Sequence, residues 1–374
     1  MALDLVRLGA IARKETLQLR RDSRSLILAF LLPLLLLLLF GYAISWDVHD
    51  IKMGVMDQDR SASSRELVDA FQASGYFKVR ETVDRTQDID PLLERGDVQV
   101  VLVIPADFSA DIGAGRTATI QALVDGSDAN TATIVLAYAR AIVASYALET
   151  QLQGRDCRPR LTADSRVWYN EDLASRNTIV PGLIAVIMMI VAAMLTSLTI
   201  AREWERGTME QLAATPVTRT EVVLGKLLPY VGIGLFDVVV CAALGVWLFD
   251  VPLRGSVLLL MVLSTTYIIG SLGLGIFISA AARSQLLATQ LAMLLTFLPA
   301  FLLSGFMYAI DVMPKSLQTV TFLVPAKYFL VVTRGIFLKD VGVDVLRVQG
   351  LLMILFAVVG LALAIWVFRK ELKA

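Results

Sequence analysis

Few side chains in this 374-residue sequence stand where chemistry would need them. Asp237 lies near the middle of an apolar run and is the one ionisable residue deep inside any such run. An intramembrane carboxylate commonly marks an ion or substrate path. It also serves as an interhelical hydrogen-bonding group, and spacing leaves both readings open. Asp57, Asp59, Asp125 and Asp128 fall at strand ends and turns, where carboxylates cap and solvate. One histidine, His49, and two cysteines, Cys157 and Cys241, do not supply a histidine-ligated metal site or a Ser-His triad. Gly225-Lys226 is followed by Leu227, which breaks the phosphate-cradling pattern G-x-x-x-x-G-K-[ST]. Gly270, Gly273 and Gly275 have no strand before them and read as a surface for close helix packing. No catalytic, cofactor-binding or metal-ligating residue is assigned, and the chain shows no phosphate-cradling motif with which to hydrolyse ATP itself.

The most informative run is 201–216, Ala-Arg-Glu-Trp-Glu-Arg-Gly-Thr-Met-Glu-Gln-Leu-Ala-Ala-Thr-Pro. It follows an apolar stretch, reads as a short charged helix and stops near Pro216. A second helical start at 218–226 leads into the next apolar stretch. A loop serving only to connect would be shorter, as the hairpin around Arg283 is. A charged helix carrying Trp204, Met209 and Leu212 reads either as a contact surface or as a face snorkelling along a lipid interface.

The elements that must position these residues are mostly apolar. Hydrophobic residues make up 56% of the chain and charged ones 18%, against the quarter usual in a soluble protein. A helix needs about 20 apolar residues to cross the hydrocarbon core. Six runs meet this: 26–45, 178–200, 227–249, 257–280, 286–306 and 348–368. Lys and Arg in the short flanks set orientation. Fourteen lie on the side that holds both chain ends, among them Arg7, Arg13, Lys14, Arg20, Arg21, Arg24, Arg202, Arg206 and Lys226. Six lie opposite: Arg254, Lys315, Lys327, Arg334, Lys339 and Arg347. Both termini of a multi-pass membrane protein are therefore expected in the cytoplasm. Nucleic acid is not an expected partner, since no basic stretch is interleaved with aromatics.

Residues 46–177 interrupt the apolar pattern with 21 acidic and 14 basic residues between positions 47 and 176. Strand-like runs at 51–56, 76–80, 98–104 and 117–124 alternate with helical runs at 62–73, 89–95 and 131–152. That alternation predicts an α/β domain with some parallel pairing. The expected fold is thus a polytopic α-helical membrane protein with six transmembrane helices and an extracytoplasmic α/β domain inserted between the first two.

The run 201–216 resembles the coupling helix of type-2 ABC exporter permeases, a charged helix with Gly-Thr-Met that ends in Leu-x-x-x-Pro. Residues 303–306, 313–318, 325–329 and 334–338 resemble that family's outer loop between spans five and six. Residues 5–21 resemble its connecting helix, and residues 168–170 with 180–182 its entry to span two. Glu171 and Tyr308-Ala309 depart from the family's prolines, the latter at the bend of the outer segment.

The resemblance implies a connecting helix at 1–25, a coupling helix at 201–216 and a re-entrant helical loop at 307–347. It implies that Arg202, Glu203, Trp204, Glu205, Arg206, Gly207, Thr208, Glu210 and Leu212 meet a separate ABC ATPase holding ATP and magnesium. It further implies a dimer with a second copy or a paralogue, contact with membrane lipid, and a periplasmic membrane-fusion adaptor on the outer domain. The activity implied is export of a drug-like amphiphile, a lipid or an ion from the cytoplasm or inner leaflet. The rival readings are a membrane enzyme of lipid or cell-wall precursors, and a sensor. The first would need clustered polar residues at the outer interface, the second a signalling module beyond Phe368.

Overall fold

A computed structural model describes residues 4–44, 50–127, 129–152 and 174–368. His49, Cys157, Asp128, Ser45, residues 168–171 and the basic residues 369, 370 and 373 lie outside the described residues. The chain forms two compact units, Trp46–Ser165 and the remainder.

The chain begins with α1 (Leu5–Arg20), whose N-cap Asp4 accepts from the Val6 amide. Its apolar side, Ile11, Ala12 and Leu19, is buried together with Glu15, at helical spacing. After a break at Arg21 and Asp22, a helical run passes through a π segment, Ile27–Leu31, into α2 (Leu32–Ala43). Its apolar part, Ile27–Ala43, is shorter than the other candidate spans.

The second unit carries a four-stranded sheet: β1 (Ile51–Asp57), β2 (Phe77–Thr82), β3 (Val100–Ile104) and β4 (Gln121–Val124), in the order β2-β1-β3-β4. β1 pairs in parallel with β2 and β3, while β4 runs antiparallel to β3. Successive side chains of a strand face opposite ways, so β3 divides its apolar residues between two cores. Val100, Leu102 and Ile104 join Ile51, Met53 and Val55 under α3 (Ala62–Ala73), α4 (Phe108–Gly113) and α5 (Ala129–Leu152). Val101 packs on the other face with Met56, Val83, Ile89 and Val98. Thr131–Leu148 within α5 is long and apolar enough to span a membrane, a stretch the sequence reading gave to the soluble domain. Its apolarity has a local use, because Val135 and Ala139 are core residues beneath the sheet.

The first unit resumes with α6 (Ser175–Glu205), α7 (Met209–Ala213), α8 (Arg219–Trp247), α9 (Val257–Ala282) and α10 (Gln285–Ala292). A second π segment, Met293–Phe297, continues α10 towards Leu302. Then come α11 (Lys315–Thr321) and α12 (Pro325–Lys339), bent 74° from one another, and α13 (Val343–Val367). By length and composition, six helices among the described residues qualify as spans, or seven if the bent pair counts as one. α6 is the hub: residues 179–193 are buried without exception, as expected of a helix apolar on every side.

The glycines of α9 set how closely its neighbours approach. A Cβ on Gly273 would lie 2.8 Å from the Gly360 carbonyl carbon of α13, and one on Gly275 would lie 2.5 Å from the Ala193 carbonyl oxygen of α6. Small residues let membrane helices meet backbone to backbone. Gly275→Ala should therefore force α6 and α9 apart and cost about 1–3 kcal/mol, read as a lower melting temperature in detergent. An unchanged melt would mean that the two helices do not touch there.

Candidate functional site: an ion cluster behind a charged elbow

The charged run 201–216 is not one helix. Its first five residues continue α6, and the helix ends where Gly207 takes a positive φ of 69°. A side chain would be strained in that left-handed conformation. The short α7 follows, and a capping box then starts α8: the Glu221 amide donates to Thr218 Oγ1, and the Thr218 amide donates to Glu221 Oε2 at 2.7 Å. Glu221 Oε1 also accepts from the Asp4 amide at 3.0 Å, tying the start of α1 to the start of α8.

The two helices meet closely because Gly225 has no side chain; a Cβ there would lie 2.8 Å from Ile11 Cβ. That approach puts the next residue, Lys226, against Glu15. Lys226 is 1% exposed, and its ammonium donates to Glu15 Oε2 at 3.1 Å and to Glu203 Oε1 at 2.9 Å. Lys14 reaches the same Glu203 oxygen at 2.9 Å from the exposed side, and the Tyr230 hydroxyl donates to Glu15 Oε1 at 3.2 Å. Two ammonium groups thus balance two carboxylates contributed by α1, α6 and α8. A buried charge survives only when paired and hydrogen-bonded.

Further ties surround the cluster. Arg202 bridges to Asp22 at 2.6 Å and donates to Ser25 Oγ at 3.3 Å. Burial opposes ionisation of Asp22, but the Ser25 hydrogen bonds and the Arg202 charge outweigh it and hold the carboxyl below its usual range. A depressed carboxylate contributes its stability above its unfolded pKa and loses it as pH falls through the lower folded value. This tie is therefore complete at neutral pH and is lost only below about pH 4. The Arg7 guanidinium donates to the Pro216 carbonyl at 2.7 Å. On the other flank the Gln285 amide donates to Glu205 Oε1 at 2.7 Å, and the Arg283 guanidinium sits 4.8 Å from the Trp204 ring centroid.

The nine elbow residues singled out in the sequence therefore divide. Glu205, Arg206, Gly207 and Glu210 are exposed, whereas Trp204, Thr208 and Leu212 are half-buried. Arg202 is turned toward Asp22, and Glu203 is 3% exposed and faces inward. Glu203 thus ties the end of α6 to α1 and α8 from within the fold and does not lie on the exposed surface of the elbow. The reason is positional: residue 203 still belongs to α6 and lies on its α1-facing side. Asp237 is elsewhere, buried on α8 among Met188, Val191 and Leu195 of α6 and Ile268 and Leu272 of α9. Its Oδ2 has no hydrogen-bond partner among the described residues.

Glu15, Lys226 and Tyr230 were missed as a group. The signal was present, since Glu15 interrupts an apolar stripe of Ile11, Ala12 and Leu19, and Lys226 interrupts one of Val222, Val223 and Leu227. Opposite charges inside two apolar stripes mark helices that face each other.

The family model for ABC-2 family transporter proteins matches residues 24–366. The chain belongs to that family. It is 37% identical over 367 residues to the probable multidrug ABC transporter permease YbhS of Escherichia coli K12, covering 98% of this chain and 97% of that protein. It is 31% identical over 339 residues to YbhR of the same organism, also a probable multidrug ABC transporter permease, covering 91% and 92%. The inner membrane transport permease YhhJ of Escherichia coli K12 is 26% identical over 329 residues, covering 86% and 85%. This ABC-2 protein is accordingly a multi-pass membrane permease, not an enzyme, and it works with a partner ATPase.

Removing the buried ammonium of the permease's cluster alone should cost more than removing it together with both carboxylates. Lys226→Met leaves two carboxylates buried and should lower stability by about 3–5 kcal/mol. Adding Glu15→Gln and Glu203→Gln should recover most of that loss, as measured by thermal unfolding of the detergent-solubilised protein. A Lys226→Met variant that melts like the parent would show that the ammonium is not buried.

Proposed function

We propose that the exposed face of the elbow, around Glu205, Gly207 and Glu210 and bordered by Arg206, is the handle by which the ATPase moves this permease. The observation that carries this reading is the buried cluster behind it. A loop free to flex would absorb a push, whereas this one is bolted through Glu203 and Lys226 to α1, α6 and α8. Arg202 reinforces the mounting from within, and Trp204, Thr208 and Leu212 fill the space beneath.

On this reading the elbow and both termini face the cytoplasm of a bacterial inner membrane, and residues 46–177 lie outside. The excess of Lys and Arg on the elbow side supports that orientation. The 74° bend between α11 and α12 supports an outer re-entrant loop at 307–347. ATP and magnesium are held by the partner, and this chain binds no cofactor of its own. Two permease subunits, identical or paralogous, form the path, and a periplasmic membrane-fusion adaptor docks on the outer domain.

The cargo is a drug-like amphiphile, a proposal supported by the names of YbhS and YbhR. It leaves from the cytoplasm or inner leaflet, and Asp237 lies along its path.

Glu210→Arg should leave the permease folded and the ATPase still co-purifying, while reducing cargo-stimulated ATP hydrolysis severalfold. Normal stimulation would remove Glu210 from the handle. Asp237→Asn should lower export with little effect on basal hydrolysis, and export at the parental rate would leave Asp237 a packing role only. The elbow reading itself falls if labelling from outside the cell reaches a cysteine placed at Glu210.

A further inference from the structure

The cluster closes one side of the space between α1 and the elbow, and the other side is open. A cleft of about 510 Å³ there is lined by Lys14, Leu17, Gln18, Arg21, Asp22, Arg202 and Arg206. Four of these are cations and one is an anion. Lys14 is engaged with Glu203 and Arg202 with Asp22, which leaves Arg21 and Arg206 without an ion pair among the described residues. Arg21 comes from the junction that follows α1, and Arg206 from the elbow. The cleft therefore holds two uncompensated guanidinium groups supplied by two different parts of the fold.

Its depth relative to a bilayer follows from the chain. Arg21 precedes the apolar run Ile27–Ala43 by less than two helical turns. Arg202 follows directly on the apolar residues that end with Ile200 and Ala201, and Arg206 caps the helix about one turn later. Cations placed where two spans leave the hydrocarbon sit at the level of the lipid headgroups. α1 itself has the make-up of a helix lying on a membrane surface: Leu5 is 79% and Val6 81% exposed, and Arg13 and Arg20 are exposed on the same helix. Leu17 both lines the cleft and is exposed, giving the cavity one apolar wall.

We propose that this cleft binds the phosphate of an anionic membrane lipid, with Arg21 and Arg206 taking its oxygens and Leu17 lying beside the start of its acyl chains. The guanidinium fork suits a phosphate, offering paired N–H groups that a lysine cannot. The position at headgroup depth and the apolar wall favour a lipid over an acidic segment of a partner protein, which would approach from the water. The bound phosphate would join the root of the first span to the elbow, making the stiffness of the elbow depend on lipid charge.

The test uses the permease with its ATPase partner in mild detergent and follows retained lipid by native mass spectrometry. Phosphatidylglycerol should remain bound, phosphatidylcholine should not, and inorganic phosphate at the same concentration should not displace it. Arg21→Gln should lower phosphatidylglycerol occupancy about tenfold, the loss of one charged hydrogen-bonding group. Arg21→Lys should retain part of it, and Arg13→Gln, outside the cleft, should leave it unchanged. Co-purification of the ATPase with each variant reports that the fold is intact. The proposal is overturned if Arg21→Gln binds phosphatidylglycerol as the parent does, or if inorganic phosphate competes equally. It is also overturned if the variant keeps its lipid and loses the ATPase, which would make the cleft a protein contact.

Discussion

The ammonium group of Lys226 is the point on which this end of the bundle depends. It is buried between Glu15 and Glu203, and the three helices that supply these groups can keep only one mutual arrangement while they stay paired. Attraction between such charges does little more than offset what their desolvation costs. The return is specificity: sliding α1 along α8 by one turn, or rotating the end of α6, would strand a charge in an apolar setting. The missing side chain at Gly225 makes this geometry available by letting α1 come within reach. Backbone contact and charge pairing are thus one device, built from two adjacent residues.

The rest of the bundle is held differently. Around α6 and α9 there are few charges, and fit is set by small residues that bring backbones together. Thr196 Oγ1 donates to the Leu272 carbonyl at 2.9 Å, Ser279 Oγ accepts from the amides of Ile200 and Ala201, and the Tyr267 hydroxyl donates to the Ala185 carbonyl at 3.0 Å. In a lipid setting, where apolar contact alone does not favour one helix pairing over another, such hydrogen bonds and close approaches select the partners. Asp237 stands apart from both schemes, since it is neither paired like Lys226 nor satisfied at Oδ2 within the described residues.

Much of this architecture could be read from residue order. Apolar length disclosed α6, α8, α9 and α13, because a span of lipid imposes a minimum that little else requires. Apolar strand-like runs set between helical stretches disclosed the sheet: 51–56 and 98–104 fall on β1, Ile51–Asp57, and β3, Val100–Ile104. The helix Phe108–Gly113 was not anticipated, being a short turn between strands without enough residues to display a period. Composition was ambiguous for Thr131–Leu148, where a helix covering a sheet is as apolar as one facing lipid. The elbow was legible as a charged segment, but its division was not. Where α6 ends is decided by Gly207, and whether Glu203 points in or out depends on a lysine 23 positions later. Pairing across that distance leaves only a faint mark in a single sequence.

The length of α6 carries its own consequence. It runs unbroken for 31 residues, roughly 46 Å at 1.5 Å per residue, from the elbow to its opposite tip, where the Thr178 carbonyl accepts from the Arg334 guanidinium of α12 at 3.2 Å. Its interior proline, Pro181, lies within a turn of Thr178, so the rod from Gly182 to Glu205 is free of proline joints. A small tilt imposed at the Glu205 end would therefore arrive beside Pro181 as a sideways sweep, close to the contact with α12, like the far end of a seesaw.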